Sequence, residues 1–541
     1  MTLYINHVGY TPAASKLCVM GGTWETEFAV CDATSGAEVY RGMLRRAASD
    51  YGLYTRGDFS ALSTPGTYVV RAGREQSQPF TVAQDVYADA LQKMVGYFQL
   101  QRCGATDTGW NGPCHLDDGL RGDTLQHQVV EGGWHDACDL RKWVDATLYG
   151  MVGLAWLKNT AACQWDDGCI EDELRWGNRY FLSMQEPAGY VMNFIGGDYF
   201  AHADNNRWTD NIGDRVDDRL IDVRPCTTNA QWVFIFAQAA LMQLTNDAAY
   251  AAQCERAARA CLRWLLAGEY THTAGELGAA LVALTALHRA TGDATLPGVA
   301  VGYAETLLKM QVLRQVDSRS EVWGFFWDRL DVAPSAREPF KSIWQGCWPL
   351  IGLAELLAAA PDHPRAPAWR DAITLYVDRY LRPLAARSAF GTVPYGLYRG
   401  TPPGSRDLGR FSYRWFMEAR PDWYVGINAH LASTGLGLMR AAQLLDRPDY
   451  AAMAQRQLDW IVGFNPFNAS TVVDVGYNVP QHMLGAEFYP PTPYLPGAVM
   501  NGISGTAEDV PQLRPGSWQE TEYWTPMAGF TMALLAELGA S

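Results

Sequence analysis

In the stretch GGWHDACD, residues 132–139, Asp136 and Asp139 stand three positions apart behind a glycine pair, a tryptophan and a histidine. Carboxylates at that spacing can face one pocket, where one removes a proton from a water and the other holds the water from a second side. The plain alternative is capping, because Asp139 stands where the helix-forming run LRKWVDATLYGMVGLAWL begins and an aspartate there satisfies free amides. Hydrolysis of a glycosidic bond needs a further carboxyl group, kept protonated, on the opposite side of the bond. Near the C-terminus, GSWQETEYWTPMAGFTMALLAEL offers Glu520 and Glu522 beside Trp518, Tyr523 and Trp524, whose apolar faces would raise a carboxyl pKa by desolvation. Taken alone, such glutamates read as first-turn charges that suit a helix dipole.

A second constellation lies just upstream, in LQRCGATDTGWNGPCHLDDG. Cys103, Cys114 and His115 are soft and borderline ligands at short spacing, and with His135, the residue before Asp136, they would close a tetrahedral structural zinc site. Cys138 is the other candidate for the fourth ligand, and cysteines packed as small hydrophobes are the plain reading. The acid-rich run RWTDNIGDRVDDR, residues 207–219, offers Asp210, Asp214, Asp217 and Asp218 as oxygen ligands for calcium. Arg207, Arg215 and Arg219 interleave with them, so a salt-bridged loop is the expectation and calcium is left open.

Elements able to position these groups are legible in the periodicity. Residues 1–84 alternate β-prone stretches (TLYINHVGY, KLCVMGG, EFAVCDA, GTYVVRAG, QPFTVAQ) with Gly, Pro, Ser and Asp turns, which predicts a small β-sandwich. From residue 87 the period changes: Leu91, Met94, Val95 and Phe98 fall at i, i+3, i+4 and i+7 of a helical stripe. About twelve such segments recur over 85–541, with no strands expected between them, so helix must pack on helix. Twelve helices in sequential pairs predict a mainly α domain built as an (α/α)6 barrel; no fixed-period repeat favours a solenoid instead. Long non-helical stretches near 103–140, 186–227, 313–342, 383–425 and 464–525 carry most of the Trp, Gly, Pro, Asp and His, so the chemistry should sit where they meet.

The 541 residues carry a net charge of −15, which disfavours nucleic acid and anionic membranes as partners. Twenty tryptophans and 26 tyrosines supply flat, half-polar rings of the kind that stack on sugars, so an oligosaccharide or polysaccharide partner is expected. No apolar run reaches the roughly 20 residues a membrane span needs. MTLYINHVGY lacks a basic n-region and an apolar h-region, which predicts a cytoplasmic protein as written, and a secreted one if a signal was removed. Eleven scattered cysteines, an odd number, suit reduced thiols. Oligomeric state is not readable from the sequence.

GGWHDACD resembles the GGWxDAGD signature of glycoside hydrolase family 9, the inverting cellulases and related β-glycosidases, and three further stretches agree with that family in order. YINHVGYTPAASKLCVM looks like the opening of the immunoglobulin-like domain that precedes many of these barrels. VGFNPFNASTVVDVGYNVPQHM looks like the GxNPxxxSYVxGxG segment and its following histidine, and TEYWTPMAGFTMALLAEL stands in place of the terminus that carries the acid. The resemblance implies Asp139 as the general base, Asp136 as a second holder of the water, and Glu522 as the acid, with Glu520 as the alternative because the spacing from Glu522 to the final helix is one residue off the pattern. It implies His482 as a sugar contact and adds support for zinc on Cys103, Cys114, His115 and His135. Among the departures from the pattern, Cys138 replaces a glycine, and Met483 stands where the usual endo-cellulases have arginine.

The resemblance implies inverting hydrolysis of β-1,4-glycosidic bonds in gluco-oligosaccharides or β-glucans, of endoglucanase, cellodextrinase or exo-β-glucosidase type. Trp423 and Trp524, in YRWFMEARPDWYVG and EYW, belong to aromatic segments able to wall off one end of a cleft. Rival readings are an exo-β-glucosaminidase on chitosan oligosaccharides, a non-catalytic carbohydrate-binding protein on the same barrel, and a polysaccharide lyase, which would use Tyr or His as base.

Overall fold

The computed structural model describes residues 2–109, 112–138, 140–196, 219–421, 423–483 and 494–540. The N-terminal region is a β-sandwich. Strands β1 (Leu3–Tyr4), β2 (Gly9–Tyr10), β3 (Leu17–Gly21), β4 (Thr26–Asp32), β5 (Glu38–Ala47), β6 (Tyr54–Asp58), β7 (Gly66–Ala72), β8 (Glu75–Gln76) and β9 (Phe80–Val82) follow in chain order. One layer runs β1-β3-β6 and the other β4-β7-β9-β2, with β8 beside β7; the long β5 pairs with β6 at its end and with β4 at its start, joining the layers. Cys18, Met20, Phe28, Val30, Phe59, Val70 and Phe80 fill the space between them.

Twelve principal helices follow among the described residues: α1 (Ala88–Leu100), α2 (Val144–Lys158), α3 (Cys169–Ser183), α4 (Thr228–Leu244), α5 (Ala248–Ala267), α6 (Ala274–Thr291), α7 (Leu296–Met310), α8 (Trp348–Ala359), α9 (Ala366–Tyr376), α10 (Asn428–Leu445), α11 (Pro448–Ile461) and α12 (Thr525–Gly539). Packing closes a ring of α2, α4, α6, α8, α10 and α12, and α12 returns to α2. The ring is an (α/α)6 barrel. Its inner helices are apolar on almost all sides, as α4 shows with buried residues from Asn229 to Leu241. Outer helices keep a polar face: in α5 only Cys254, Ala257, Ala258, Cys261, Leu262 and Leu265 are buried. Asp247 caps α5 by accepting from the amides of Ala249 and Tyr250, as its sequence predicts.

Two helix starts differ from the periodicity. The second helix begins at Val144 rather than near 141, because Lys142–Trp143 pairs as a strand with Phe194–Ile195. Helix α8 begins at Trp348 rather than near 343, because Ile343 and Gly346 both take positive φ and Pro349 fits only the first turn. The long connections also hold strands of two to six residues, such as Met192–Ile195 paired with Leu220–Pro225, too short for alternation to reveal.

The sandwich is bound to the barrel by polar contacts. Asn6 Nδ2 donates to Asp459 Oδ1 at 2.8 Å, and the His7 ring stacks on Tyr477 with centroids 3.3 Å apart. At the C-terminal ends of the inner helices, Arg440 Nε donates to Glu355 Oε1 (2.8 Å), Arg289 Nη2 to Glu355 Oε2 (3.2 Å) and Trp156 Nε1 to Glu537 Oε1 (2.7 Å). The cations complement the negative ends of the helix dipoles there.

Candidate active site

The long loops gather at the opposite end, before the N-termini of the inner helices, where the helix dipoles favour carboxylates. Gly132 and Gly133, both at positive φ, let the loop press against Trp176 and Tyr180: a Cβ on either would lie within 3 Å of an α3 side chain. Trp134 is fully buried, and its Nε1 donates to Glu173 Oε1 at 2.6 Å. This anchoring delivers Asp136 to the mouth of the barrel. The Asp136 amide donates to Arg141 O at 2.9 Å, and its carbonyl accepts from Thr525 Oγ1 (2.6 Å) and Thr525 N (3.0 Å). Its carboxylate Oδ2 accepts from Trp524 Nε1 at 3.1 Å. Asp139 lies outside the described residues.

The two candidate acids occupy different surroundings. Glu520 is fully buried and held by Ser504 Oγ (2.5 Å) and by both Nε and Nη2 of Arg514 (3.1 and 3.0 Å). Glu522, two residues on, is partly exposed and turned towards the Asp136 loop, where Cys138 Sγ donates to its Oε1 at 3.1 Å. Its backbone carbonyl accepts from Asn501 N at 2.8 Å, which fixes the segment. Both oxygens of Glu520 are taken up by Arg514 and Ser504, whereas the partly exposed carboxylate of Glu522 beside a thiol is open to proton transfer.

His482 is partly buried, and the next residue, Met483, donates its amide to Thr521 O at 3.1 Å and lies 3.6 Å from Cys138 Sγ. Trp524 packs on Trp344 with ring centroids 4.8 Å apart. Trp423 is partly buried before Tyr424, whose hydroxyl accepts from Arg514 Nη2 at 2.9 Å. Structure thus brings Asp136, Glu522 and Trp524 together, ties the segment of His482 to Thr521 through Met483, and places Trp423 next to Tyr424, the partner of Arg514.

Sequence reasoning missed three features of this end. Asp145, in the first turn of α2, is enclosed enough that burial pushes its carboxyl up to about 7. A cavity of about 450 Å³ is lined by Asn229, Glu276, Asp328, Lys341, Ser342 and Gln345, among others. On its wall, Ser342 Oγ donates to His430 Nδ1 (2.6 Å) while His430 Nε2 donates to Pro394 O (2.9 Å). Only Asp145 had a local sign, as a charge in a first helical turn.

The ligand set proposed from spacing is also assembled. Cys103 follows α1, and its amide donates to Gly133 O at 3.0 Å, so the cluster is stitched to the Asp136 loop. Donor atoms of Cys103, Cys114, His115 and His135 lie within 4.8 Å of one another, and all four residues are buried. Cys103 Sγ is 3.6 Å from His115 Nδ1 and Cys114 Sγ is 3.6 Å from His135 Nε2, near the edge of a tetrahedron with bonds of about 2.0–2.3 Å. Burial opposes ionisation of Cys103, but the Cys114 hydrogen bond and the charges of Lys142 and the two histidines hold its thiol well below the ordinary value, as a metal ligand requires. Cys138 points to Glu522 and is not in this set. The second candidate cation site, on Asp210, Asp214, Asp217 and Asp218, lies outside the described residues; Arg219 is buried and paired with Asp118 at 2.7 Å.

Residues 87–533 match the model of glycosyl hydrolase family 9, and residues 2–77 match that of the cellulase N-terminal ig-like domain. The chain belongs to glycosyl hydrolase family 9. It is 27% identical over 300 residues to Endoglucanase D of Acetivibrio thermocellus, a match that covers 48% of this chain and 45% of that protein. The match thus spans less than half the length of that curated relative. With a Cellodextrinase of Butyrivibrio fibrisolvens it is 22% identical over 512 residues, 87% of this chain and 84% of the relative. The fold is similar to that of a thermostable endoglucanase from Alicyclobacillus acidocaldarius, with a TM-score of 0.69, 21% identity and full coverage of both chains. It is also similar to a structure described as a Zn-binding triple mutant of a family 9 endoglucanase, with a TM-score of 0.70, 20% identity, and 98% and 99% coverage.

Proposed function

We propose that this family 9 chain is an inverting glycoside hydrolase of β-1,4-linked gluco-oligosaccharides or β-glucans. Glu522 protonates the leaving oxygen, Asp139 removes a proton from the attacking water, and Asp136 holds that water. The observation that carries the reading is the meeting of two segments 384 positions apart, with Cys138 Sγ on Glu522 Oε1. Trp524 Nε1, on Asp136 Oδ2, holds the carboxylate in one orientation. Single-step inversion needs a base-to-acid separation of about 6.5–9.5 Å, wide enough for a water under the scissile bond. The aromatic pair Trp344 and Trp524 supplies a platform for a pyranose face. A cellodextrinase among the relatives and a neighbour solved with a cellobiose-like isofagomine support glucose-based chains as substrate.

Cys103, Cys114, His115 and His135 would hold a structural zinc ion. Bound there, it supplies a cross-link between the end of α1 and the loop of Asp136 and takes no part in the chemistry. A second reading, exo-β-glucosaminidase action on chitosan oligosaccharides, is favoured by the acidic excess around the 450 Å³ cavity, where Glu276, Asp328 and Glu338 outnumber Lys341. Incubating the enzyme with cello- and chitosan-oligosaccharides side by side, with anomeric configuration followed by proton NMR, tests both. Release of α-anomer from β-linked cellotetraose is expected. Retention of the β-anomer, or no cleavage of either series, would overturn the proposal.

A further inference from the structure

Two of the positions at which the sequence departs from the motifs it resembles, 138 and 483, touch each other. Cys138 Sγ lies 3.6 Å from Met483 Sδ and 3.1 Å from Glu522 Oε1. A thioether sulfur and a carboxylate oxygen therefore both touch one thiol at the mouth of the barrel. Thiolate and thioether donors select soft ions such as Cu(I), while hard ions and zinc gain little from a thioether. At metal–sulfur bonds of about 2.3 Å, two sulfur ligands sit about 3.8 Å apart in a tetrahedron and about 4.0 Å apart in a trigonal plane. The observed sulfur separation is within a few tenths of an ångström of both. Backbone contacts hold the donors in place: Met483 N is bonded to Thr521 O at 3.1 Å, and Asn501 N to Glu522 O at 2.8 Å.

We propose that Cys138, Met483 and Glu522 form a binding site for one soft, closed-shell cation of the Cu(I) or Ag(I) class, and that filling it silences hydrolysis. Binding replaces the Cys138 S–H bond by a sulfur–metal bond and displaces the acid proton of Glu522; both protons pass to the buffer, and no electron is transferred. The ion engages the carboxylate of Glu522, which then has no proton to deliver. Silencing rests on the assignment of Glu522 as acid; ion binding does not.

Ag(I) is the probe of choice because it brings no redox chemistry. The zinc-loaded enzyme is titrated in chloride-free buffer against a chromophoric competitor, with zinc release and turnover of a cello-oligosaccharide followed in parallel. The wild type is expected to bind one more Ag(I) than Cys138→Ser before zinc is displaced. Met483→Leu, which leaves all eleven thiols in place, is expected to weaken that ion about tenfold or more and to raise the concentration for half-inhibition by the same factor. Matching melting temperatures establish that each variant is folded. Identical competition curves for the wild type and both variants would overturn the site. An ion that binds while turnover persists would overturn the silencing. Failure of the acid assignment shows separately, as turnover retained by Glu522→Gln.

Discussion

The indole Nε1 of Trp524 donates to Asp136 Oδ2 across 3.1 Å, joining the first long loop of the barrel to the residue that opens its last helix. Thr525 reinforces the junction through the Asp136 carbonyl, so the carboxylate is fixed from both its backbone and its side chain.

Trp524→Phe removes this bond and keeps the ring on Trp344. A hydrogen bond to a charged group contributes about 1.5–3 kcal/mol, so kcat/KM on cellotetraose should fall by roughly tenfold or more while the melting temperature holds. Steady-state kinetics that match the wild type would show that Asp136 does not depend on the indole.

The two glutamates separate by phenotype. Glu522→Gln should lower kcat by about 10² to 10⁴-fold with little change in stability. Glu520→Gln leaves Arg514, about half exposed to water, with a neutral partner and should cost about 1–2 kcal/mol in denaturant unfolding. The reverse pattern, with Glu520→Gln folded but inactive, would transfer the acid role.

Metal content offers a third check. Purified enzyme should carry one zinc per chain, and Cys114→Ala should lose it, melt several degrees lower and lose activity as the Asp136 loop loosens. A metal-free wild type with full stability would remove the zinc.

His7 and His430 make stability pH-dependent. Burial, partly offset by hydrogen bonds, pushes both rings down to about 4 from 6.5. In the folded protein they stay neutral between those values while the unfolded chain binds protons, so stability falls as pH drops from about 6.5 to about 4. Each shift corresponds to about 3 kcal/mol. Asp145 acts in the opposite sense: its carboxyl is raised to about 7, so its contribution falls as pH rises from about 4 to 7. Chemical unfolding at pH 7 and pH 5 should show the histidine loss, and His7→Gln should shrink it; a difference of equal size in that variant would clear His7.

The barrel was legible because inner and outer helices leave different marks, a nearly all-apolar run in 228–244 and a one-sided stripe in 248–267. The cluster of Cys103, Cys114, His115 and His135 was legible because ligand type and short spacing survive without a structure. Neither the contact of Cys138 with Met483 nor the cavity around Asp328 could be read, since each joins distant loops whose paths no local pattern encodes. Nor could the different surroundings of Glu520 and Glu522 be read, because the grip of Arg514 on Glu520 is a tertiary contact.

The carboxylate–guanidinium cluster of Arg289, Glu355, Arg440 and Glu537 lies at the end of the barrel away from the active-site loops. Its ion pairs sit at the far end of a ring whose interior is filled by buried side chains, which leaves a saccharide no path from one face to the other. Reactant and both fragments must therefore share a single doorway, and a long glycan can advance only sideways across the rim.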